Sequence, residues 1–201
     1  CSRPAEVDLR LIGTPEAIEN GRQLVLKRFP HECFAEDGSD LEAVVVRSLA
    51  ALGWSLATAE SCTGGYISHR ITNVPGSSEV FTHGFVTYAN EAKMELLGVS
   101  ESMLREHGAV SEPVVRQMAE GAIKASGADI AVAVTGIAGP GGGTDEKPVG
   151  AVFLAVATRD GETEVQRRMH LRDRIAFKQT VSQGALDLVR RRLKASAGRS
   201  K

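Results

Sequence analysis

The chain has 201 residues, 42% hydrophobic and 24% charged, enough apolar material for one folded domain with its own core. A net charge of -1 and an isoelectric point of about 6.6 give no overall field toward polyanions, and no apolar run nears the roughly 18 residues that span a bilayer, so neither a nucleic-acid partner nor a membrane one is expected. Three cysteines (Cys1, Cys33, Cys62), an odd number without a C-x-x-C pair, argue against a disulfide framework or a zinc site and for a reducing compartment, so the expected location is cytoplasmic.

Residues 1–38 mix short apolar runs with charge and with Pro4, Pro15 and Pro30, and are read as an N-terminal extension of unknown role. The domain is expected over residues 39–194, followed by a tail over 195–201. Ser39 opens an S-D-L-E capping box, and Leu41, Val45, Leu49 and Leu52 recur at helical spacing until Gly53. "WSLATAE" reads as a strand that runs into the loop "SCTGG" and then a helix from about Gly65 to Asn73. "EVFTHGFVTY" reads as a second strand, after which Asn90 caps a helix carrying Lys93 in its first turn. A short helix follows Ser100, and Ser111 caps a longer one through Ser126. "DIAVAVTG" is unbroken and reads as a strand buried on both faces, leading into "IAGPGGGT". "GAVFLAVAT" and "ETEVQRRMH" form a hairpin about Arg159, Asp160 and Gly161, the Asp-Gly pair supplying a positive φ, and a last helix runs from about Asp173 to Leu193. The pattern predicts an α/β fold, a three-layer α/β/α sandwich around a mixed, mostly five-stranded sheet.

A strand that enters a small-residue loop and then a helix leaves that loop at the sheet's carboxyl edge, where open α/β sheets hold ligands. Amides at the helix start then suit a phosphate, a carboxylate or an oxyanion. On the simpler reading, Ser61 or Thr63 only caps the helix; Gly64-Gly65 argues for a close backbone approach instead. Cys62 reads as a small buried filler, or as the nucleophile of a thiol enzyme lacking an evident histidine partner, since His69 should point away from the loop, and His83, His107 and His170 have no assigned role. Ser61 needs a base, and Lys93, with Tyr88 near it, is the candidate. A lysine at its ordinary pKa is almost wholly protonated at neutral pH, so that role requires burial or a neighbouring cation.

"AESCTGGYISHRIT", "GFVTYANEAKMELLGV", "HGAVSEPVVRQMAEGA", "VTGIAGPGGGTDEKPVG" and "RDR" together resemble the carboxyl-terminal domain of the competence/damage-inducible CinA proteins, over about residues 40–194. The resemblance implies hydrolysis of the carboxamide of nicotinamide mononucleotide to nicotinate mononucleotide and ammonia, without a metal or other cofactor, by a protein that self-associates, most simply as a dimer. It implies Ser61 and Lys93 as the catalytic pair beside Tyr88, with loop amides near Thr63 and Gly64 holding the oxyanion. Asn90, Thr135, Gly136 and Gly139 would line the substrate, and Arg174 would meet its phosphate. Arg172 and Lys178 depart from the family pattern, which commonly has glycine and arginine there. A non-catalytic nucleotide-binding or regulatory module linked to competence or DNA damage is the alternative. "RRRLK" near the end is read as a solvated helix terminus.

Overall fold

The structure, a computed structural model, describes residues 4–161 and 163–198; Cys1, Glu162 at the head of the expected "ETEVQRRMH" strand, and the last three residues of the expected tail lie outside them. In chain order the elements are α1 (Pro15–Arg28), α2 (Leu41–Leu52), β1 (Leu56–Glu60), α3 (Tyr66–Thr72), β2 (Phe81–Val86), α4 (Asn90–Leu97), α5 (Glu101–His107), α6 (Glu112–Ser126), β3 (Ile130–Gly136), β4 (Ala151–Thr158), β5 (Glu164–Met169) and α7 (Arg174–Ala197). The strands lie in the order β2-β1-β3-β4-β5, the first three parallel and the last two antiparallel to their neighbours. This is the expected mixed five-stranded sheet. Helices α2, α3 and α7 cover one face, and α4 and α6 the other, with α5 against α6.

Because successive strand residues point to opposite faces, each strand writes two surfaces at once. Leu56, Ile130, Val132, Val134, Val152, Leu154 and Val156 pack under α2, α3 and α7. Ala57, Ala59, Ala131, Ala133, Ala155 and Ala157 form a small-residue floor for Val114, Val115, Met118, Ala119 and Ala122 of α6. On that face α6 also runs so close to α4 that a Cβ on its Gly121 would strike the Leu97 carbonyl at the end of α4. β3 lies between both layers and is buried along its length until Gly136, which is why its sequence has no polar alternation.

Several boundaries differ from the sequence expectation. Helix α1 lies inside the supposed extension, started by the Thr14 hydroxyl accepting from Ala17 and by Pro15 in its first turn; none of its residues is buried, so no apolar stripe marked it. The expected capping box does not form: α2 starts after Asp40, while the Ser39 amide donates to Asp37 and its hydroxyl accepts from Arg47. Asn90 is the first residue of α4, with Ala89 at the cap position. Ser111 does hold the cap position of α6, but its hydroxyl donates back to Gly108. β2 is shorter than expected because Ser77–Glu79 form a 3₁₀ turn ahead of it. Gly161 has no positive φ; its amide closes a turn on the Thr158 carbonyl. The N-terminal segment touches the domain through Glu6, which accepts from Gln183, and through the His31 carbonyl, which accepts from Arg190.

Candidate active site

The parallel register aligns Glu60 with Val86 and with Val134, so the segments that follow β1, β2 and β3 leave the sheet at one carboxyl edge. Ser61 comes first after β1, its amide donating to the Val134 carbonyl at 3.1 Å. Gly64 and Gly65 both take left-handed backbone, with φ of +59° and +91°, which is the demand that selects glycine twice in succession. The Gly64 amide donates to the Ser61 carbonyl and the Tyr66 amide to that of Thr63, closing a tight turn.

Beneath that turn lies Glu60, fully buried. One carboxylate oxygen accepts from the Thr63 hydroxyl at 2.7 Å and the Ile67 amide at 3.0 Å; the other accepts from the Ser68 amide at 2.8 Å and the Ser68 hydroxyl at 2.7 Å. Thus the start of α3 is capped from inside by the residue before Ser61, and the Ile67 and Ser68 amides are not open to a ligand. Gly84 on β2 makes room for this network, since a Cβ there would lie 2.8 Å from the Ser68 hydroxyl. The amides of Thr63 and Gly65 give no hydrogen bond to any acceptor among the described residues, and neither does the half-buried Ser61 hydroxyl. Of the two amides expected to hold an oxyanion, that near Gly64 is engaged and that of Thr63 is open.

Lys93 reaches the same edge from α4. Its side chain is only 1% exposed, and its ammonium donates to the carbonyls of Thr87 at 2.9 Å, Tyr88 at 3.3 Å and Ala89 at 3.5 Å. The Thr87 amide in turn donates to the Glu60 carbonyl at 2.9 Å, so one residue joins the lysine to the residue before Ser61. Burial holds the Lys93 pKa below the ordinary lysine value, opposed by the nearby Cys62 and Glu91. Cys62 is buried beside Ser61, and desolvation pushes its thiol up to about 12, so it is neutral at physiological pH and a poor nucleophile. His69 is exposed, as expected of a residue facing away, and shares a hydrogen bond with Asn73.

The remaining expected residues divide into exposed and engaged. Tyr88 is 58% exposed, and its hydroxyl accepts from Arg174 at 2.7 Å. Arg174 also donates to the Gly139 carbonyl at 3.0 Å, bridging the segments after β2 and β3. Asn90 is exposed. The Thr135 hydroxyl donates to the Ala109 carbonyl at 2.9 Å, and a Cβ on Gly136 would lie 2.8 Å from the Ala151 carbonyl, so close packing with β4 accounts for that glycine. Gly139 has φ +74° with Val149 against it.

The family model for the CinA C-terminal domain matches residues 38–193. The chain belongs to that family. A CinA-like protein of Akkermansia muciniphila is 55% identical over 186 residues, covering 92% of this chain and 45% of that protein. A putative competence-damage inducible protein of Caldicellulosiruptor bescii is 44% identical, covering 96% and 48%. The chain therefore spans about half the length of the curated relatives it matches, and these alignments reach into its first 38 residues, ahead of the family model. Among solved structures, the competence/damage inducible protein CihA of Agrobacterium tumefaciens is 43% identical with a TM-score of 0.75, covering 81% of this chain and 98% of that one. A CinA superfamily protein of Escherichia coli is 32% identical with a TM-score of 0.73, covering 82% and 97%. The CinA fold is thus the fold of this chain.

Two residues of this CinA-type edge escaped sequence reasoning. Glu60 looks like an ordinary polar strand end, and only its four donors reveal its part. Thr87 is buried with its hydroxyl unpartnered among the described residues, directly beside Lys93. Its position at the end of a β-rich run was the one signal that pointed to it. Among the described residues no three His, Cys, Asp or Glu side chains gather as a metal site, and no helix is long and apolar enough to cross a membrane.

Proposed function

We propose that this CinA domain is an amidase that hydrolyses the carboxamide of nicotinamide mononucleotide, with Ser61 as nucleophile and Lys93 as the amine that assists it. The observation that carries the reading is the presence, at one sheet edge, of an unengaged hydroxyl on a glycine-bent loop and of a fully buried lysine. Ser61 attacks the amide carbon, ammonia leaves with a proton, and water releases the acyl group as nicotinate mononucleotide. The Thr63 amide is the open donor for the oxyanion. Neutral Lys93 accepts the serine proton: burial favours the neutral amine, while the three carbonyls favour the ammonium, and the longest of those bonds, to Ala89, is the one most readily exchanged.

A nucleotide-binding module without turnover is the second reading. It draws on the same three carbonyls, which satisfy every proton of a charged Lys93. Ammonia release from nicotinamide mononucleotide, followed with and without chelator, separates the two. The amidase reading expects chelator-insensitive release that Ser61→Ala abolishes without loss of fold; a rate unchanged in that variant contradicts it.

A further inference from the structure

Arg174 and Lys178 stand one helical turn apart at the start of α7, and the structure uses them differently. The Arg174 guanidinium is tied to Gly139 and to Tyr88, so it braces two segments of the site. Lys178 is half-buried and makes no hydrogen bond or ion pair with any described residue. Its ammonium lies 3.7 Å from the point that a Cβ on Gly64 would occupy, directly over the turn that follows Ser61. The nearest acid in its own helix end, Asp173, is spent on the amides of Ile175 and Ala176.

A half-buried ammonium with no partner among the described residues has its donors free for an anion. Beside it, the Gly65 amide also lacks an acceptor among the described residues, the Thr63 amide being left to the oxyanion. We propose that Lys178 binds the phosphate of the nucleotide substrate, and that Arg174 is a positioning residue that holds the neighbouring segments in place. This rests on the amidase reading for the identity of the substrate. Lys178 would then be what separates a nucleotide from its dephosphorylated nucleoside, since only the former presents a dianion for the ammonium to hold.

The test is calorimetric binding of nicotinamide mononucleotide and of nicotinamide riboside to Ser61→Ala protein, with and without Lys178→Met, and with Lys178→Arg as the charge-conserving control. Lys178→Met should weaken nucleotide binding about tenfold or more and leave riboside binding unchanged, and Lys178→Arg should restore most of the loss. Thermal unfolding should be the same in all three, because the side chain has no protein partner to lose. Equal affinity with and without Lys178→Met, an equal loss for riboside, or no nucleotide binding at all overturns the proposal. Turnover is read separately: wild-type protein that binds the nucleotide through Lys178 yet releases no ammonia would sink the amidase reading and leave this one standing.

Discussion

Two segments leave the carboxyl edge of the sheet side by side and are built in opposite ways. The turn of residues 61–65 is short and fastened from below by Glu60, whose carboxylate meets four donors in the interior. The segment of residues 137–149 is longer and its residues 140–146 are exposed; its fastenings are spread along it and lie at the surface as well as at its foot, where Ile137 pairs with Ala151 and Gly150 and Arg174 holds Gly139, while Lys147 donates to the His107 carbonyl and Arg167 to that of Glu146. Chemistry that needs a fixed nucleophile belongs to the first, and contact with the outer parts of a substrate to the second. A buried carboxylate beneath the loop supplies the rigidity together with the loop's own Thr63 hydroxyl.

The contrast can be broken most severely at Lys93, on the rigid side. Lys93→Met should lower ammonia release about a thousandfold. In the wild type the rate should rise with pH and level off above the lysine's pKa, which burial puts below the ordinary value of 10.5. The same shift predicts that folding stability gains as pH climbs from that lowered pKa toward 10.5, because the unfolded lysine keeps its proton there while the folded one has released it. A pH profile with no such limb would deny Lys93 the proton. Next in size, Glu60→Ala leaves two hydroxyls and two amides without their acceptor; calorimetry should show a loss of about 3 kcal/mol, near 10 °C in unfolding temperature, with activity falling alongside.

Arg174→Met acts on the looser side. It should raise KM about fivefold for nucleotide and riboside alike, with a smaller change in kcat, because it frees Gly139 and Tyr88 rather than a phosphate; an effect confined to the nucleotide would return the phosphate to Arg174. Smallest of all, Gly141→Ala should change neither rate nor stability by more than about 0.5 kcal/mol, since nothing lies within 4 Å of the added carbon and the backbone is not left-handed.

The layers were readable because their signals are local. β3 announces itself as an unbroken apolar run, α6 by Val114, Val115, Met118 and Ala122 at helical spacing, and the strand-to-loop junction at Ser61 by its small residues. What stayed hidden depends on partners distant in sequence. Thr135 and Gly136 looked like a ligand wall, yet the hydroxyl of one is held by Ala109 and the hydrogen of the other makes room for Ala151. Helix α1 carries sound start signals in Thr14 and Pro15 but has no fully buried residue, only Gly21, Val25 and Leu26 being partly covered, so periodicity could not find it. The burial of Lys93 was equally illegible in the residues around it: a lysine in a first turn usually faces water, and only the carbonyls of the preceding segment explain why this one does not.

The central claim is that the hydroxyl of Ser61 forms a bond to the substrate's acyl carbon. Wild-type protein mixed with nicotinamide mononucleotide, quenched in acid during turnover and mapped by peptide mass, should carry the nicotinate-nucleotide acyl group on the peptide containing Ser61, at the serine. An adduct on the neighbouring Cys62, or ammonia release with no adduct at any time before the steady state in protein whose deacylation is the slow step, would contradict it.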